Sequence, residues 1–175
     1  RIVEDLDSAF WPTKMIVPST EIVHDRANLE VFRGCIRGCR FCQAGFSCRP
    51  VRKKSPEVLY RQAVEMLEDS GNNEITVSSL STSDYRDLKE LTDELIPYCE
   101  RSHVSLSVPS LRADNFSRDL MQRLQTGKKS GLTFAPEAGS QRLRDVINKN
   151  LTEEEILATC ENAFSGGWSN VKLYF

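Results

Sequence analysis

Short apolar runs alternate with longer segments of helical periodicity along most of this chain. The runs that predict strands lie at residues 29–32, 74–79, 104–108, 131–135 and 171–175. Between them, apolar residues recur every three or four positions, as on one face of an amphipathic helix. Alternating strands and helices favour an α/β fold with a parallel sheet and right-handed crossovers. We therefore predict a partial (β/α) TIM-like barrel with about five parallel strands and alternating helices. An open doubly wound sheet is the alternative.

Two of the predicted helices begin with capping signals. Ser55 followed by Pro56 places a cap residue and a proline where the first turn of a helix accepts them. Thr152 and Glu155 have the spacing of a capping box. The other predicted helices cover about residues 84–98, 115–125 and 140–148.

The first 28 residues differ from the rest of the chain. They contain Pro12 and Pro18 and show no clear period, which predicts an extended lead-in or linker over residues 1–28. The partial barrel is then expected over residues 29–175. Because the chain opens on Arg1 and closes in a strand-like run, we expect it to be a fragment of a larger protein.

The composition is that of a globular protein, with 39% apolar and 27% charged residues among 175. No apolar run is long enough to cross a bilayer, and the N-terminus lacks the pattern of a secretion signal. These features predict no membrane partner and a cytoplasmic location, where the six cysteines would stay reduced. Cys48, Cys99 and Cys160 are expected to be small buried groups rather than ligands.

Charge is distributed unevenly, although the formal net charge is only −2. Residues 31–56 contain seven Lys or Arg and no acid, which leaves 16 basic and 25 acidic residues elsewhere. This basic segment includes Arg33, Arg37 and Arg40. It predicts either a solvated basic loop or an electropositive rim that attracts an anion. Because the rest of the chain is acidic, a nucleic-acid partner is not indicated.

Polar side chains follow the predicted strands at the points where the strands end. Cys35 follows the first strand, Ser79 and Ser81 follow the second, Arg112 the third and Glu137 the fourth. Sites in α/β folds form beyond the C-terminal ends of parallel strands. We therefore expect a thiol, hydroxyls, a guanidinium and a carboxylate to converge on one face.

Three cysteines are crowded into the loop after the first strand, as Cys35-x-x-x-Cys39-x-x-Cys42. Soft thiolates select zinc, copper(I) or iron–sulfur clusters. A structural zinc site needs four ligands, and only the irregularly spaced Cys48 lies nearby to complete it. A [4Fe–4S] cube takes one ligand per iron, so three cysteines would leave one iron open to a small molecule. Two hypotheses follow: a cluster-dependent enzyme, and a non-enzymatic zinc- or cluster-binding structural or interaction module.

The C-x-x-x-C-x-aromatic-C motif after a first strand resembles the signature of the radical S-adenosylmethionine (radical SAM) superfamily. Further segments resemble the branch of that superfamily whose members carry a cobalamin-binding-like domain before the barrel. These segments are residues 23–26, 33–45, 49–52, 78–85 and 132–140. The similarity covers essentially the whole chain.

The resemblance implies reductive cleavage of S-adenosylmethionine (SAM) at a [4Fe–4S] cluster, giving a 5′-deoxyadenosyl radical. It implies Cys35, Cys39 and Cys42 as cluster ligands. Phe41 resembles the aromatic residue that lies beside the adenine of SAM. Glu137 resembles the carboxylate that contacts the SAM amino group or ribose.

The remaining implied contacts are less specific. The end of the second strand departs from the Gly-Gly-Glu motif common in the family, so Ser79 and Ser81 would have to replace it. Arg112 is either a partner of the SAM carboxylate, which suits a fork-shaped cation, or an exposed loop residue. The resemblance also implies a flavodoxin- or ferredoxin-like electron donor and a substrate that the sequence does not identify. Cobalamin is expected, if at all, only in the full-length protein.

Overall fold

The computed structural model describes residues 2–109, 111–115 and 131–175. Within those ranges the strands are β1 (Ala27–Glu30), β2 (Phe32–Arg33), β3 (Arg52–Lys53), β4 (Glu74–Ser78), β5 (Ser105–Ser107), β6 (Leu132–Phe134) and β7 (Val171–Leu173). The helices are α1 (Ala44–Ser47), α2 (Pro56–Ser70), α3 (Leu88–Arg101), α4 (Gln141–Val146) and α5 (Glu153–Ser165). The helix predicted at about residues 115–125 lies outside the described residues.

Strands β1, β4 and β5 form a parallel sheet in that order. Ala27 of β1 lies opposite Ile75 of β4, which in turn lies opposite Leu106 of β5. Strands β6 and β7 form a second parallel pair, in which Leu132 lies opposite Val171. The predicted α/β architecture of parallel strands with alternating helices is confirmed.

The core lies between the three-stranded sheet and helices α2 and α3. Helix α2 packs against β1, α3 packs against β5, and the two helices pack against each other. Their leucines join the apolar side chains of the sheet in one buried cluster, because each element directs an apolar face inward. Fully buried members of this core include Ala27, Leu29, Val31, Leu59, Ala63, Ile75, Val77, Leu91 and Leu95. Burial of these residues fixes the strands, and therefore the positions of the loops that leave them.

The ends of α2 and α5 form as their sequences predict. The Ser55 hydroxyl accepts a hydrogen bond from the backbone of Val58, and Gly71 ends α2 in the left-handed conformation with φ of 69°. Thr152 and Glu155 form both hydrogen bonds of a capping box. Helix α3 begins later than predicted, at Leu88, because Thr82–Asp84 forms a separate 3₁₀ turn.

Two short elements were not predicted. Strands β2 and β3 pair antiparallel, with Phe32 opposite Lys53 and Arg33 opposite Arg52. Helix α1 is a single turn inside the loop that they close. Both elements are too short to show a period in the sequence. The division into a lead-in and a barrel at residue 28 stays a prediction. Among the described residues, no helix is long and apolar enough to cross a membrane.

We expect Leu59→Ala to lower the free energy of unfolding by about 2–5 kcal/mol, because it leaves a cavity between α2 and β1. Urea denaturation measures the change. The matched control is Leu157→Ala on α5, where the leucine is 62% exposed and the expected change is below about 0.5 kcal/mol. Equal losses in the two variants would contradict this description of the core.

Candidate functional site

The cysteine loop, residues 34–51, is closed at its base by the pairing of β2 with β3. Inside it, the backbone N–H of Cys35 donates to the carbonyl of Cys48 at 3.2 Å. Gly34 has φ of 101°, and a Cβ there would lie 2.7 Å from the same carbonyl. A Cβ on Gly45 would lie 2.0 Å from the carbonyl oxygen of Arg37. The loop is therefore packed backbone against backbone, which only glycine permits at these two positions.

A cavity of about 280 Å³ lies beyond the C-terminal ends of β4, β5 and β6 and is walled on one side by the cysteine loop. Its polar and aromatic lining includes all three cysteines of the motif. The polar and aromatic residues of the lining are Cys35, Arg37, Cys39, Phe41, Cys42, Ser81, Arg112, Glu137 and Lys149. Apolar side chains, among them Leu80, Leu111 and Leu151, complete the wall. Convergence at the strand ends is the geometry that the order of the sequence predicts.

Seven of the eight predicted site residues line this cavity, and Ser79 does not. The Ser79 hydroxyl lies 3.1 Å from that of Thr82 and accepts a hydrogen bond from the backbone of Ser81. It therefore shapes the turn after β4. Phe41 is 56% exposed at the cavity mouth, whereas Cys35 and Cys39 are buried.

The other three cysteines lie outside the cavity lining. Cys99 is buried in α3, and burial raises the pKa of its thiol to about 11, as expected for an inert packing residue. Cys160 is partly buried. Cys48 is exposed, so the prediction that it is buried is wrong. Within the described ranges, no group of three or more His, Cys, Asp or Glu is arranged to hold a single metal ion.

Arg37, between the first two cysteines, joins the loop to the ends of β4 and β5. Its guanidinium donates two hydrogen bonds to Asp84, at 2.9 and 2.5 Å, and lies 3.2 Å from Asp114. Asp114 also accepts two hydrogen bonds from Arg112, at 3.0 and 3.2 Å. We call Arg37, Asp84, Arg112 and Asp114 the charge network. Two-point pairing of guanidinium with carboxylate fixes both position and orientation.

Both acids of the charge network are shielded from solvent. Burial raises the pKa of Asp84, but hydrogen bonds from Arg37 and Ser81 oppose this, and the pKa lies below its usual value. The hydrogen bond to Asp84 in turn raises the pKa of Arg37. Both groups are therefore charged at neutral pH. Arg112 is bound further by the backbone carbonyl of Lys149, at 3.0 Å, and is not an exposed loop residue.

Glu137 sits at the end of β6 in the left-handed conformation, with φ of 67°. Its backbone N–H donates to the carbonyl of Tyr174 at 3.0 Å, which extends the pairing of β6 with β7. Its carboxylate lies 3.4 Å from Nζ of Lys149, which follows the C-terminal end of α4 and lines the same cavity. A non-glycine residue in this conformation is costly, and the flanking hydrogen bonds hold it there.

Arg144 of α4 is only 2% exposed and holds the loop after β6 against the segment after α4. Its guanidinium donates to four oxygens at 2.9 to 3.1 Å: the carbonyls of Leu151, Ala138 and Gly139, and Oε1 of Gln141. These bonds fix the residues that directly follow Glu137 and the segment that follows Lys149. The sequence offered no signal for this role beyond a basic residue in a short helix.

The cysteine loop also contacts the end of α4. Asn148 donates through Nδ2 to the carbonyl of Gly38 at 2.8 Å, and the backbone of Arg40 donates to Ile147 at 2.9 Å. The Arg40 guanidinium binds the carbonyl of Val146. Arg33 pairs with Glu30 and Arg37 with Asp84, so these two members of the predicted electropositive rim are neutralised, whereas among the described residues Arg40 binds only a carbonyl oxygen and keeps its charge uncompensated.

Asp84, Asp114, Arg144 and Lys149 are not among the site residues that the sequence predicted. Asp84 directly follows the serine-rich end of β4, so its place beyond a strand was a usable signal. The other three lie in turns or in α4, where the sequence pattern does not indicate which loop they contact.

The family model for the radical SAM superfamily matches residues 29–175. That match covers most of the chain, including the cysteine loop and the strand ends described above. The chain belongs to the radical SAM superfamily.

Individual relatives agree with this assignment. The chain is 38% identical over 147 residues to an uncharacterized protein of Methanocaldococcus jannaschii, covering 84% of this chain and 32% of that protein. It is 26% identical over 141 residues to the threonylcarbamoyladenosine tRNA methylthiotransferase MtaB of Treponema pallidum, covering 77% of this chain and 28% of that protein. The chain thus spans about a third of the length of the relatives it matches.

A solved structure supports the fold. The cobalamin-dependent S-adenosylmethionine radical enzyme OxsB superposes with a TM-score of 0.61 at 17% sequence identity, over 83% of this chain and 23% of that one. At this identity the likeness concerns the fold alone. The predicted part of a TIM-like barrel is confirmed.

We expect Arg144→Met to lower the free energy of unfolding by about 3 kcal/mol, because buried carbonyls lose a charged donor. Denaturant titration measures the loss. Arg142→Met, on an exposed face of the same helix, is the matched control and should change stability by less than about 0.5 kcal/mol. If Arg144→Met were as stable as this control, the hydrogen bonds from Arg144 to the carbonyls would not contribute measurably to stability.

Proposed function

We propose that this domain binds a [4Fe–4S] cluster through Cys35, Cys39 and Cys42 and uses it to cleave SAM reductively. The observation that carries the proposal is that all three cysteines line one cavity together with Phe41 and Glu137. Membership of the radical SAM superfamily supports the same reaction class. The domain is accordingly proposed to be an enzyme domain.

The donor set fits an iron–sulfur cube. Three thiol side chains bordering one cavity can each reach a different iron, whereas a single metal ion requires its ligands to meet at one point. The glycines of the cysteine loop allow close contacts between backbone segments, and the three thiols line the cavity. When bound, the reduced cluster would supply the electron that splits SAM into methionine and a 5′-deoxyadenosyl radical.

The side chains around the cysteines are suited to hold SAM. Phe41, at the mouth of the cavity, offers a ring face for the adenine. The Glu137 carboxylate offers an acceptor for the SAM ammonium group or ribose, and its position is fixed by the hydrogen bond to Tyr174. Ser81 and Arg112 line the same cavity and complete the proposed contact set. The proposal retains Ser79 as a support of the turn that carries Ser81.

Several wider assignments belong to the same proposal. A flavodoxin- or ferredoxin-like protein would donate the electron, and a reducing cytoplasm would suit the free cysteines. The fold likeness to OxsB, a cobalamin-dependent enzyme, supports testing the full-length protein for cobalamin. Residues 1–28 would lead into the barrel domain over residues 29–175. The molecule that receives the radical is left unassigned.

The alternative, a structural zinc site, has less support. A closed site needs a fourth ligand, and the nearest further cysteine in the chain, Cys48, is exposed and outside the cavity lining. The carboxylate that does line the cavity, Glu137, is paired with Lys149. An open, three-cysteine site therefore describes the arrangement better.

The test is anaerobic reconstitution of the full-length protein, compared with Cys39→Ala and with Cys48→Ala. We expect about four irons per chain in the wild type, and SAM-dependent release of 5′-deoxyadenosine. Cys39→Ala should lose cluster absorbance and product, because one iron loses its ligand. Cys48→Ala should retain both, because that thiol lies outside the cavity. One zinc without sulfide, or a dependence on Cys48 equal to that on Cys39, would overturn the proposal.

We expect Glu137→Gln to weaken SAM binding about tenfold or more while the iron content stays unchanged, because the amide oxygen of glutamine still accepts a hydrogen bond but lacks the negative charge that strengthens it. Titration of the cluster spectrum with SAM measures the affinity. Glu57→Gln, on an exposed position in the first turn of α2, is the charge-matched control and should leave the affinity unchanged. An affinity that does not differ between the two variants would remove Glu137 from the site.

A further inference from the structure

We propose that Arg37 is a positioning residue which fixes the cysteine loop to the strand ends, and that the charge network it belongs to sets the reduction potential at this site. This inference rests on the proposed function, because it concerns the cluster that the three cysteines would hold. It goes beyond that function by assigning a role to Arg37, Asp84 and Asp114, which are not among the proposed cluster ligands or SAM contacts, and a second role to Arg112.

The first step is mechanical. Arg37 lies between Cys35 and Cys39, and its own backbone N–H is 3.4 Å from Sγ of Cys35. Its side chain reaches 47 positions along the chain to Asp84, in the 3₁₀ turn after β4, and then to Asp114, after β5. A single side chain thus ties the ligand loop to two other loops. Exposure of 22% for Arg37 and 6% for Asp84 keeps solvent from competing for the pair.

The second step is electrostatic. The charge network contains two guanidinium groups and two carboxylates, so its net charge is zero. Arg112 is close enough to Asp84 to lower the pKa of that carboxyl, which shows that the four groups act on one another. Arg37 and Arg112 both line the cavity. Loss of any one member therefore leaves one uncompensated charge beside the cysteines, where water screens it poorly.

The electrostatic step predicts shifts of opposite sign when a basic or an acidic member of the charge network is neutralised. Arg37→Gln leaves one excess negative charge, which opposes the arrival of an electron and should lower the reduction potential. Asp84→Asn leaves one excess positive charge and should raise it. In the double variant Arg37→Gln with Asp84→Asn the network is neutral again, so the potential should return close to the wild-type value. A merely structural role would not produce opposite shifts.

The experiment is a redox titration of the reconstituted full-length protein, followed by electron paramagnetic resonance of the reduced cluster. We expect each single variant to change the equilibrium constant for one-electron reduction about tenfold, which corresponds to about 59 mV, in the stated directions. Arg101→Gln is the control. Arg101 is the last residue of α3, at the end of that helix far from Asp84, so the substitution should leave the potential unchanged.

Arg37→Lys separates position from charge. Lysine keeps the positive charge but cannot donate to Asp84 at two points. We expect a potential close to the wild-type value together with faster loss of iron to a chelator. If Arg37→Gln retains too little cluster for a redox titration, the potential of Asp84→Asn still tests the electrostatic step by itself.

Shifts of the same sign in Arg37→Gln and Asp84→Asn would overturn the electrostatic step, and so would a double variant that does not return toward wild type. Iron loss from Arg37→Lys at the wild-type rate would overturn the positioning step. Wild-type protein that takes up no iron would instead overturn the proposed function, a result that is visible before any variant is compared.

Discussion

The parallel pairing of β1, β4 and β5 is the constraint on which the rest of the site depends. In this register the C-terminal residues of the three strands reach the same edge of the sheet, and the loops that follow them must share one space. The core between the sheet and helices α2 and α3 maintains that register, because a slip of one residue would turn the apolar side chains of β4 away from it. Packing in the core thus determines which polar groups can meet.

Polar side chains at this edge are bound mainly to one another. Arg37, Arg112 and Arg144 each hold oxygens from a different part of the chain, and Lys149 pairs with Glu137. Such contacts leave little freedom to the loops that carry the cysteines and Glu137. A cavity with pre-positioned walls loses less conformational entropy when it binds a ligand than a mobile loop would.

Features encoded locally could be predicted, and those that depend on distant partners could not. The strands at 74–78 and 171–173 and the caps at Ser55 and Thr152 follow from short-range patterns. The cysteine spacing and the order of strand ends located most of the site. The role of Asp84 was not predicted, because its partner Arg37 lies 47 positions away and the periodicity of a sequence does not indicate such a pair. The β2–β3 pairing was not predicted, because strands of two residues are too short to show an alternation of apolar and polar positions. Cys48 was expected inside on residue type alone, although its loop position leaves it exposed.

The hydrogen bond from Asn148 to Gly38 joins positions 110 residues apart. Contacts of such separation form late, because closing a long loop costs entropy before other contacts compensate for it. The local closure of the cysteine loop by β2 and β3 needs only about 20 residues of chain. The loop can therefore take shape while its side facing α4 is still uncovered. The shape of the cysteine loop is therefore set by contacts close in sequence, whereas its final position against α4 is set by contacts from as far as 110 residues away.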